Sequence, residues 1–254
     1  MGNTLNIYKP VGYTPYDLIK HLQSQKKEYA SFKIGYAGRL DPQAEGVLLL
    51  LLGEENKKKH AYENLDKEYE FELLCGLSTD TYDIMGIPEN GTLPTSLLLE
   101  KKLKTYLTEM TSSFTMTYPP YSSVRVNGKP LYFWARRNLL STITIPKKQV
   151  TLFDIKLIQN SSIDSPVLLE EIRRRICLVD GDFRQTEIMN KWEEILQKPT
   201  SYPLFKIKIH CSAGTYVRSI CQYLGNTLGC GALAFTINRT RVGPHLLKDS
   251  LQLI

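Results

Sequence analysis

Residues 35–46 read Gly-Tyr-Ala-Gly-Arg-Leu-Asp-Pro-Gln-Ala-Glu-Gly, and residues 47–52 continue as Val-Leu-Leu-Leu-Leu-Leu before Gly53. Because every side chain of the second stretch is apolar, it predicts a central strand that is covered on both faces. The first stretch predicts a loop in which Pro42 stiffens the exit and the glycines allow the backbone to approach a ligand. Together they predict a rigid loop that presents the carboxylate of Asp41 beside a buried strand.

Strand patterns alternate with helical patterns along the rest of the chain, and no fixed repeat is present. Strands are predicted at Leu5–Tyr8, Lys67–Leu73 and Phe205–Cys211. Helices are predicted from a capping box at Thr14–Asp17 to about Gln25, and over Leu97–Met110, Leu131–Asn138 and Thr215–Leu224, the last ending near Gly225. This irregular mixture indicates an α+β domain rather than a solenoid or a doubly wound sheet.

The composition is that of an ordinary globular protein with a basic bias. Hydrophobic residues make up 42% of the 254 residues and charged residues 23%, which is enough for a sizeable core. The net charge of +6 suits a polyanionic partner without requiring one. The five cysteines form no CxxC pair or zinc-ligand cluster, so buried free thiols in a reducing compartment are expected. No signal peptide or membrane-spanning run is found, which favours a cytoplasmic location without membrane association.

Residues 160–203 differ in composition from their surroundings. They are rich in charged and helix-favouring residues, which predicts an inserted helical hairpin. The run Arg173-Arg174-Arg175 has two interpretations, of which a solvated helix face is favoured over direct contact with RNA.

Asp41 by itself does not define a function, since an aspartate in a loop is more often a turn or capping residue. Its surroundings are more specific. Residues 35–46 resemble the catalytic motif of the TruB family of pseudouridine synthases, whose pattern runs Gly-His-x-Gly-x-Leu-Asp-Pro-x-Ala-x-Gly. Asp41 falls on the catalytic aspartate of that motif.

Four further blocks resemble this family, in the order in which the family has them. They are Lys9-Pro10-x-Gly12, then Lys67-x-Tyr69 with Thr79-Asp80-Thr81-x-Asp83 and Gly86, then residues 120–136, and finally Cys211 to Arg218 with Leu224-Gly225 and residues 229–232. The blocks span nearly the whole chain apart from the predicted insertion. Five ordered matches are unlikely to arise by chance.

The resemblance implies the pseudouridine synthase fold, with a mixed, mainly antiparallel sheet and flanking helices. It implies isomerisation of one uridine, expected at position 55, in the T-loop of tRNA after base flipping. No cofactor, metal or obligate protein partner is implied. We expect one catalytic domain over residues 1–254 without a C-terminal RNA-binding (PUA-like) domain.

The resemblance also implies roles for individual residues. Asp41 is the expected catalytic carboxylate and Arg218 its partner, although a surface arginine is the plainer interpretation of Arg218. Tyr69 is expected to stack on the flipped uracil and to assist proton removal; the alternative is a core tyrosine. Tyr216 and Lys9 are candidate substrate-binding residues, with packing as the alternative for Tyr216. Lys9 could instead stabilise the catalytic loop or be an exposed lysine.

One position departs from the family pattern. Tyr36 stands where the family usually has histidine, which occupies the space that the flipped base leaves. A tyrosine ring stacks in the same way but carries no charge near neutral pH. Tyr36 is therefore a candidate substrate-binding residue with an altered pH dependence.

Several alternatives remain open at the level of sequence. Asp41 could attack C1′, add to the pyrimidine ring, or remove the 2′ proton of the ribose. A relative that modifies another RNA, with or without a guide complex, is the rival enzyme. An RNA-folding chaperone that has lost catalysis is the rival of another class.

Overall fold

The fold is described by a computed structural model for residues 4–93 and 96–253. Its strands are β1 (Thr4–Lys9), β2 (Ile34–Ala37), β3 (Ala44–Leu52), β4 (Lys67–Cys75), β5 (Leu77–Thr79), β6 (Pro88–Asn90), β7 (Ser112–Thr117), β8 (Arg125–Val126), β9 (Lys129–Pro130), β10 (Lys147–Asp164), β11 (Ser201–Cys211), β12 (Ala232–Val242) and β13 (His245–Leu246). Its α-helices are α1 (Pro15–Gln25), α2 (Lys59–Glu63), α3 (Ser96–Glu109), α4 (Leu131–Ala135), α5 (Ser165–Cys177), α6 (Gln185–Ile195) and α7 (Val217–Leu228).

A mixed sheet organises the part of the chain that the structure describes. Its strand order is β1-β3-β12-β4-β11-β10-β7, with β2 also paired to β3 and β13 to β12. Only β12 and β3 run parallel, with Ile237 opposite Ala44, and the other pairs of this sheet are antiparallel. The expected α+β architecture with a mainly antiparallel sheet is therefore confirmed. The strand before Gly53 lies inside the sheet, as its continuous apolar sequence predicted.

Both faces of the sheet are covered by helices. On one face, α3 and α7 pack against the apolar side chains of β4 and β11, such as Phe71 and Ile207. On the other face, α5 and α6 cover Leu74, Leu204 and Phe235. The glutamates of β4 lie on this second face, beyond the helices, where Glu70 pairs with Lys206 at 3.1 Å. The alternation in β4 therefore separates a buried face from a face that is partly exposed to solvent.

Local sequence patterns predict the start of α1 correctly but not the end of α7. At α1, Thr14 and Asp17 form the predicted capping box, and Pro15 occupies the first turn. At α7 the predicted end near Gly225 was wrong, because the helix continues to Leu228 and is capped by Gly229 with φ of 71°. A methyl group at Gly225 would overlap the backbone nitrogen of Ala232. This glycine therefore serves the packing of α7 on β12 rather than the end of the helix.

The region predicted as a helical hairpin contains two helices between two long strands. Strand β10 runs to Asp164 and β11 starts at Ser201, so the ends of the 160–203 segment belong to the sheet. The helices α5 and α6 lie between them.

In the described residues no helix is long and apolar enough to cross a membrane. Four of the cysteines are buried as expected, whereas Cys177 at the end of α5 is exposed.

Candidate active site

The Asp41 loop connects β2 to β3, and two buried basic side chains hold its backbone. Lys9 donates from Nζ to the carbonyl oxygens of Ala44 at 2.6 Å and Pro42 at 3.4 Å. Arg239, on β12, donates to the carbonyl oxygens of Gly38 at 2.9 Å and Val47 at 2.7 Å. Because hydrogen bonds from a charged guanidinium are among the stronger ones, and Lys9 adds two further donations, these contacts fix the path of the loop.

Two glycines of this loop lie against neighbouring protein atoms. Gly46 has φ of 110°, and a methyl group there would overlap the carbonyl oxygen of Arg239. A methyl group at Gly35 would overlap the side chain of Asn56. The expectation that the glycines admit a ligand was therefore wrong at these two positions, where they admit neighbouring protein atoms instead.

Arg218 reaches Asp41 from the first turn of α7. Its Nε donates to Oδ2 of Asp41 at 2.8 Å. Its Nη1 donates to the carbonyl oxygen of Thr81 at 2.8 Å, and its Nη2 to that of Tyr121 at 3.2 Å. The guanidinium is thus fixed in a plane by three different segments, and only 4% of the side chain is exposed. The surface-arginine interpretation of Arg218 does not hold in this fold.

A second carboxylate lies behind this pair. Oδ2 of Asp83 is 3.6 Å from Nε of Arg218, and its Oδ1 accepts from the Thr81 hydroxyl at 2.6 Å and the Met85 amide at 2.9 Å. Burial raises the pKa of Asp83, although Arg218 and these donors oppose the shift. Burial alone would lower the pKa of Arg218, but Asp41 and Asp83 raise it above its ordinary value. The guanidinium therefore stays charged.

A cavity of about 740 Å³ opens above Asp41 and Arg218. Tyr69 on β4 forms part of its wall with 8% of its surface exposed, and burial raises the pKa of its hydroxyl. Tyr36 and Tyr216 also line the cavity. The Tyr36 hydroxyl accepts from Nη2 of Arg39 at 3.2 Å, and the Tyr216 ring packs edge-on against Tyr118 with centroids 5.6 Å apart. Five of the six predicted site residues therefore meet at one cavity.

Lys9 is the exception. Its side chain is fully buried beneath the loop, and it does not line the cavity. Substrate binding by Lys9 stays a prediction; in this structure its Nζ is engaged by backbone carbonyl oxygens of the loop. Burial lowers the pKa of Lys9 to about 7.

Three charged residues of the site escaped the sequence prediction. Arg239 and Lys67 both line the cavity, and burial lowers the pKa of Lys67 to about 8. Lys67 and Asp83 appeared only as parts of the motifs that carry the resemblance. No local pattern marks Arg239, which lies on a strand that was not predicted, 198 positions beyond Asp41 in the chain (239 − 41). Its role depends on the parallel pairing of β12 with β3.

The cavity combines an oriented carboxylate with aromatic walls. A carboxylate with 30% of its side chain exposed faces a cavity large enough for a nucleoside, and a buried guanidinium fixes its direction. Aromatic rings on several walls provide surfaces for stacking a planar base. Within the described residues, no cluster of three or more His, Cys, Asp or Glu side chains is arranged to hold a metal ion.

The chain is similar to proteins of one known family. A profile of the TruB family pseudouridylate synthase N-terminal domain matches residues 20–171. The tRNA pseudouridine synthase B of Carboxydothermus hydrogenoformans is 31% identical over 98% of this chain and 73% of its own length. The synthase B of Clostridium tetani is 27% identical over the whole chain and 72% of its own length, and that of Lactococcus lactis is 29% identical over 65% of its own length.

Solved structures share the fold. The protein resembles a chain in the crystal structure of a Cbf5–Nop10–Gar1 complex, with a TM-score of 0.58 and 20% identity over 98% of this chain and 52% of the other. A chain in an H/ACA ribonucleoprotein bound to a substrate RNA gives a TM-score of 0.56, with 18% identity over 98% of this chain and 50% of the other. The sequence matches and the common fold together show that this chain belongs to the TruB family of pseudouridylate synthases.

Proposed function

We propose that this protein isomerises uridine to pseudouridine in the T-loop of tRNA, with position 55 as the expected target. The observation that carries the proposal is the contact of Asp41 with the buried Arg218 at the base of a nucleoside-sized cavity. The matched relatives named tRNA pseudouridine synthase B support the choice of substrate.

The reaction rearranges one nucleotide without gain or loss of atoms. The bond between C1′ and N1 breaks, the uracil turns, and a bond forms between C1′ and C5. The proton on C5 is removed and N1 gains one. Such a reaction needs an anionic group near the sugar or base, confinement of the freed uracil, and a group that takes the C5 proton. It consumes no energy donor, so we propose that no cofactor is used.

Asp41 is the proposed catalytic anion, and Arg218 fixes the direction of its carboxylate. Tyr69 is the proposed stacking partner of the flipped uracil, and its hydroxyl is the candidate for proton removal. Because burial raises the pKa of Tyr69, that hydroxyl remains protonated at neutral pH and would act as a relay rather than as a phenolate.

Tyr36 and Tyr216 are proposed to contact the RNA at the cavity. The Tyr36 ring is suited to the space that the flipped base leaves, where it stacks without carrying charge. Lys9 is proposed to act as a positioning residue that fixes the Asp41 loop from below. It does not contact the substrate in this proposal.

The proposed partner is folded RNA, recognised mainly by shape and backbone charge. Arg39, Arg136 and Arg184 line the cavity, which gives it a cationic rim. We also propose that the described residues act as one catalytic unit, because strands from both ends of the chain pair in a single sheet. No protein partner is part of the proposal.

The test is the conversion of uridine to pseudouridine in an unmodified tRNA transcript, mapped to its position, for the wild type and Asp41→Asn. Product at the T-loop uridine with the wild type alone supports both the reaction and its catalyst. A full turnover by Asp41→Asn would remove Asp41 from the reaction. Tight binding of tRNA without product from either protein would favour the RNA-chaperone alternative, and product only in other RNAs would change the substrate.

A further inference from the structure

The helices α5 and α6 meet in a loop, residues 178–184, that reaches the candidate active site. Phe183 and Arg184 line the same cavity as Asp41. The carbonyl oxygen of Leu178 lies so close to Gly12 that a methyl group there would overlap it. Gly12 in turn donates to the carbonyl oxygen of Pro42 at 2.9 Å. The hairpin of α5 and α6 is therefore packed against the Asp41 loop.

Arg184 holds this loop in a defined position. Its Nη2 lies 2.9 Å from Oδ2 of Asp80, and its guanidinium stacks 4.6 Å from the centroid of the Tyr121 ring. The carbonyl oxygen of Tyr121 accepts from Arg218, the partner of Asp41. Arg184 is therefore connected to the catalytic pair through one residue.

The arginines on the hairpin differ in whether their ion-pair partners lie within the hairpin or at the cavity. Arg173 pairs with Glu193 at 2.8 Å, Arg174 pairs with Glu171 at 2.6 Å, and Arg175 is buried beside Glu171. These three arginines are thus engaged within the hairpin itself, as expected for a helix surface. Arg184 is the arginine of this hairpin that lies at the cavity.

The neighbouring Arg136 adds a second positive group to the same rim. It donates from Nη2 to the carbonyl oxygen of Asp182 at 2.6 Å, and its Nη1 lies 3.8 Å from the Asp182 carboxylate, whose side chain is 87% exposed. Exposed ion pairs of this kind contribute little, so a phosphate can compete with Asp182 for Arg136. Two guanidinium groups thus meet the cavity where the α5–α6 loop approaches it.

We propose that the loop at residues 178–184 is part of the RNA-binding surface and that Arg184 contacts a phosphate next to the target uridine. The proposal rests on the proposed function, since it takes the RNA substrate from it. Guanidinium groups bind phosphate oxygens through directed, charge-assisted hydrogen bonds. The hairpin then both covers the sheet and extends the substrate site.

The backbone conformation at Arg184 allows a variant that removes the side chain without straining the backbone. Its φ of 63° lies in the left-handed region, which glycine adopts without the cost that an L side chain has there. Arg184→Gly therefore removes the guanidinium while favouring the observed backbone. Arg173→Ala is the matched control, because it removes one exposed arginine of the same hairpin away from the cavity.

The experiment measures the dissociation constant of a fluorescently labelled T-stem-loop at several KCl concentrations, with stoichiometric titration of the binding-competent fraction. For Arg184→Gly we expect about tenfold weaker binding at 0.1 M salt and a salt dependence shallower by about one unit of log K per log salt. We expect a midpoint of thermal unfolding within a few degrees of the wild type for both variants, because the Arg184–Asp80 pair is partly exposed. We expect wild-type binding by Arg173→Ala.

An affinity and salt dependence within twofold of the wild type for Arg184→Gly would overturn the proposal, as would an equal loss in Arg173→Ala. Turnover of a tRNA transcript by the wild type, measured alongside, tests the proposed function separately. Wild-type turnover with unaltered binding by Arg184→Gly would refute the role of the loop alone. An inactive wild type would refute the proposed function, while the binding comparison would still decide whether the loop contacts RNA.

Discussion

Arg218 satisfies three acceptors on three segments with one planar group. Lysine keeps the charge but cannot direct donors to Asp41, Thr81 and Tyr121 at once. We therefore expect Arg218→Lys to lower the rate at saturating RNA by about 10²-fold, the scale of losing one preorganised electrostatic contact. Single-turnover kinetics on a tRNA transcript measures this rate, with Arg174→Lys as the exposed control.

A rate for Arg218→Lys within a few fold of the wild type would show that only the charge of Arg218 matters. Circular dichroism of the variant checks that the fold is intact. Because the side chain is buried beside Asp83, some loss of stability is expected as well.

Lys9 gives a prediction about pH. Burial lowers its pKa to about 7 from an ordinary 10.5, and the nearby Arg239 adds to the shift while Asp41 opposes it. Below pH 7 the lysine is protonated in both states; between about 7 and 10.5 only the unfolded chain binds the proton. The stability contribution of Lys9 therefore rises with pH in that window, by up to about 1.4 kcal/mol per pH unit.

The measurement is the free energy of unfolding in urea at pH 7, 8 and 9 for the wild type and Lys9→Met. We expect the difference, wild type minus variant, to grow by roughly 1 kcal/mol per pH unit. Methionine leaves the loop carbonyls unpaired, which adds an offset that does not change with pH. Lys67, whose pKa of about 8 has the same sign of shift, is present in both proteins and cancels. A constant difference across this range would contradict the burial of a neutral Lys9.

The contrast between Asp41 and Arg239 marks what the sequence reveals of single residues. Asp41 stands in a dense local motif, so its resemblance to a family was readable from twelve consecutive residues. Arg239 is surrounded by ordinary strand residues, and its contact with the loop arises only from long-range pairing. Buried partners supplied by distant strands are the part of a site that a local pattern does not contain.

Gly225 shows the same limit in a secondary-structure element. Glycine followed by further polar residues is a common sign of a helix end, yet α7 passes through it. In an exposed helix the change of glycine to alanine would stabilise by about 0.5–1 kcal/mol. Here the added methyl group would overlap Ala232, so we expect Gly225→Ala to destabilise the protein by about 1–3 kcal/mol.

Unfolding in urea measures this effect, and Asn226→Ala is the matched control. Asn226 is exposed in the same helix, one position further along, where alanine is tolerated. If Gly225→Ala were as stable as the control or more so, the close approach of α7 to β12 would be wrong.

The strands show which elements are readable from sequence alone. Strand β3 was predicted because it is buried on both faces and therefore uniformly apolar. The 18-residue strand β10 was not predicted, since its apolar residues do not keep to one face and Phe153 and Ile158 are exposed. Its second half pairs with β11. The predicted helical segment 160–203 was too long, because it included the end of β10 and the start of β11.

At the scale of the whole molecule, the α5–α6 hairpin is part of the core. Trp192 of α6 is fully buried, and its Nε1 donates to the carbonyl oxygen of Ile84 at 3.1 Å. Ile84 directly follows Asp83 in the chain. The hairpin thus connects the second face of the sheet to the segment behind the Asp41–Arg218 pair, and deleting it would expose apolar side chains of the sheet.

The same change, tryptophan to phenylalanine, at Trp192 and at Trp134 tests whether the hairpin is part of the common core. Trp134 also donates from Nε1 to a backbone carbonyl, that of Val126 at 3.2 Å, but its site is only partly buried, so water can replace the lost donor. In Trp192→Phe the Ile84 carbonyl would lose its partner in the core, which costs about 1–3 kcal/mol in addition to lost packing. We expect Trp192→Phe to lower the free energy of unfolding by about 2–4 kcal/mol and Trp134→Phe by less than about 1 kcal/mol.

Far-ultraviolet circular dichroism should follow a single urea transition in both variants, because one sheet links all the elements. Equal losses in the two variants, or an early separate transition in Trp192→Phe, would mean that the hairpin folds as an independent unit and is not part of the common core.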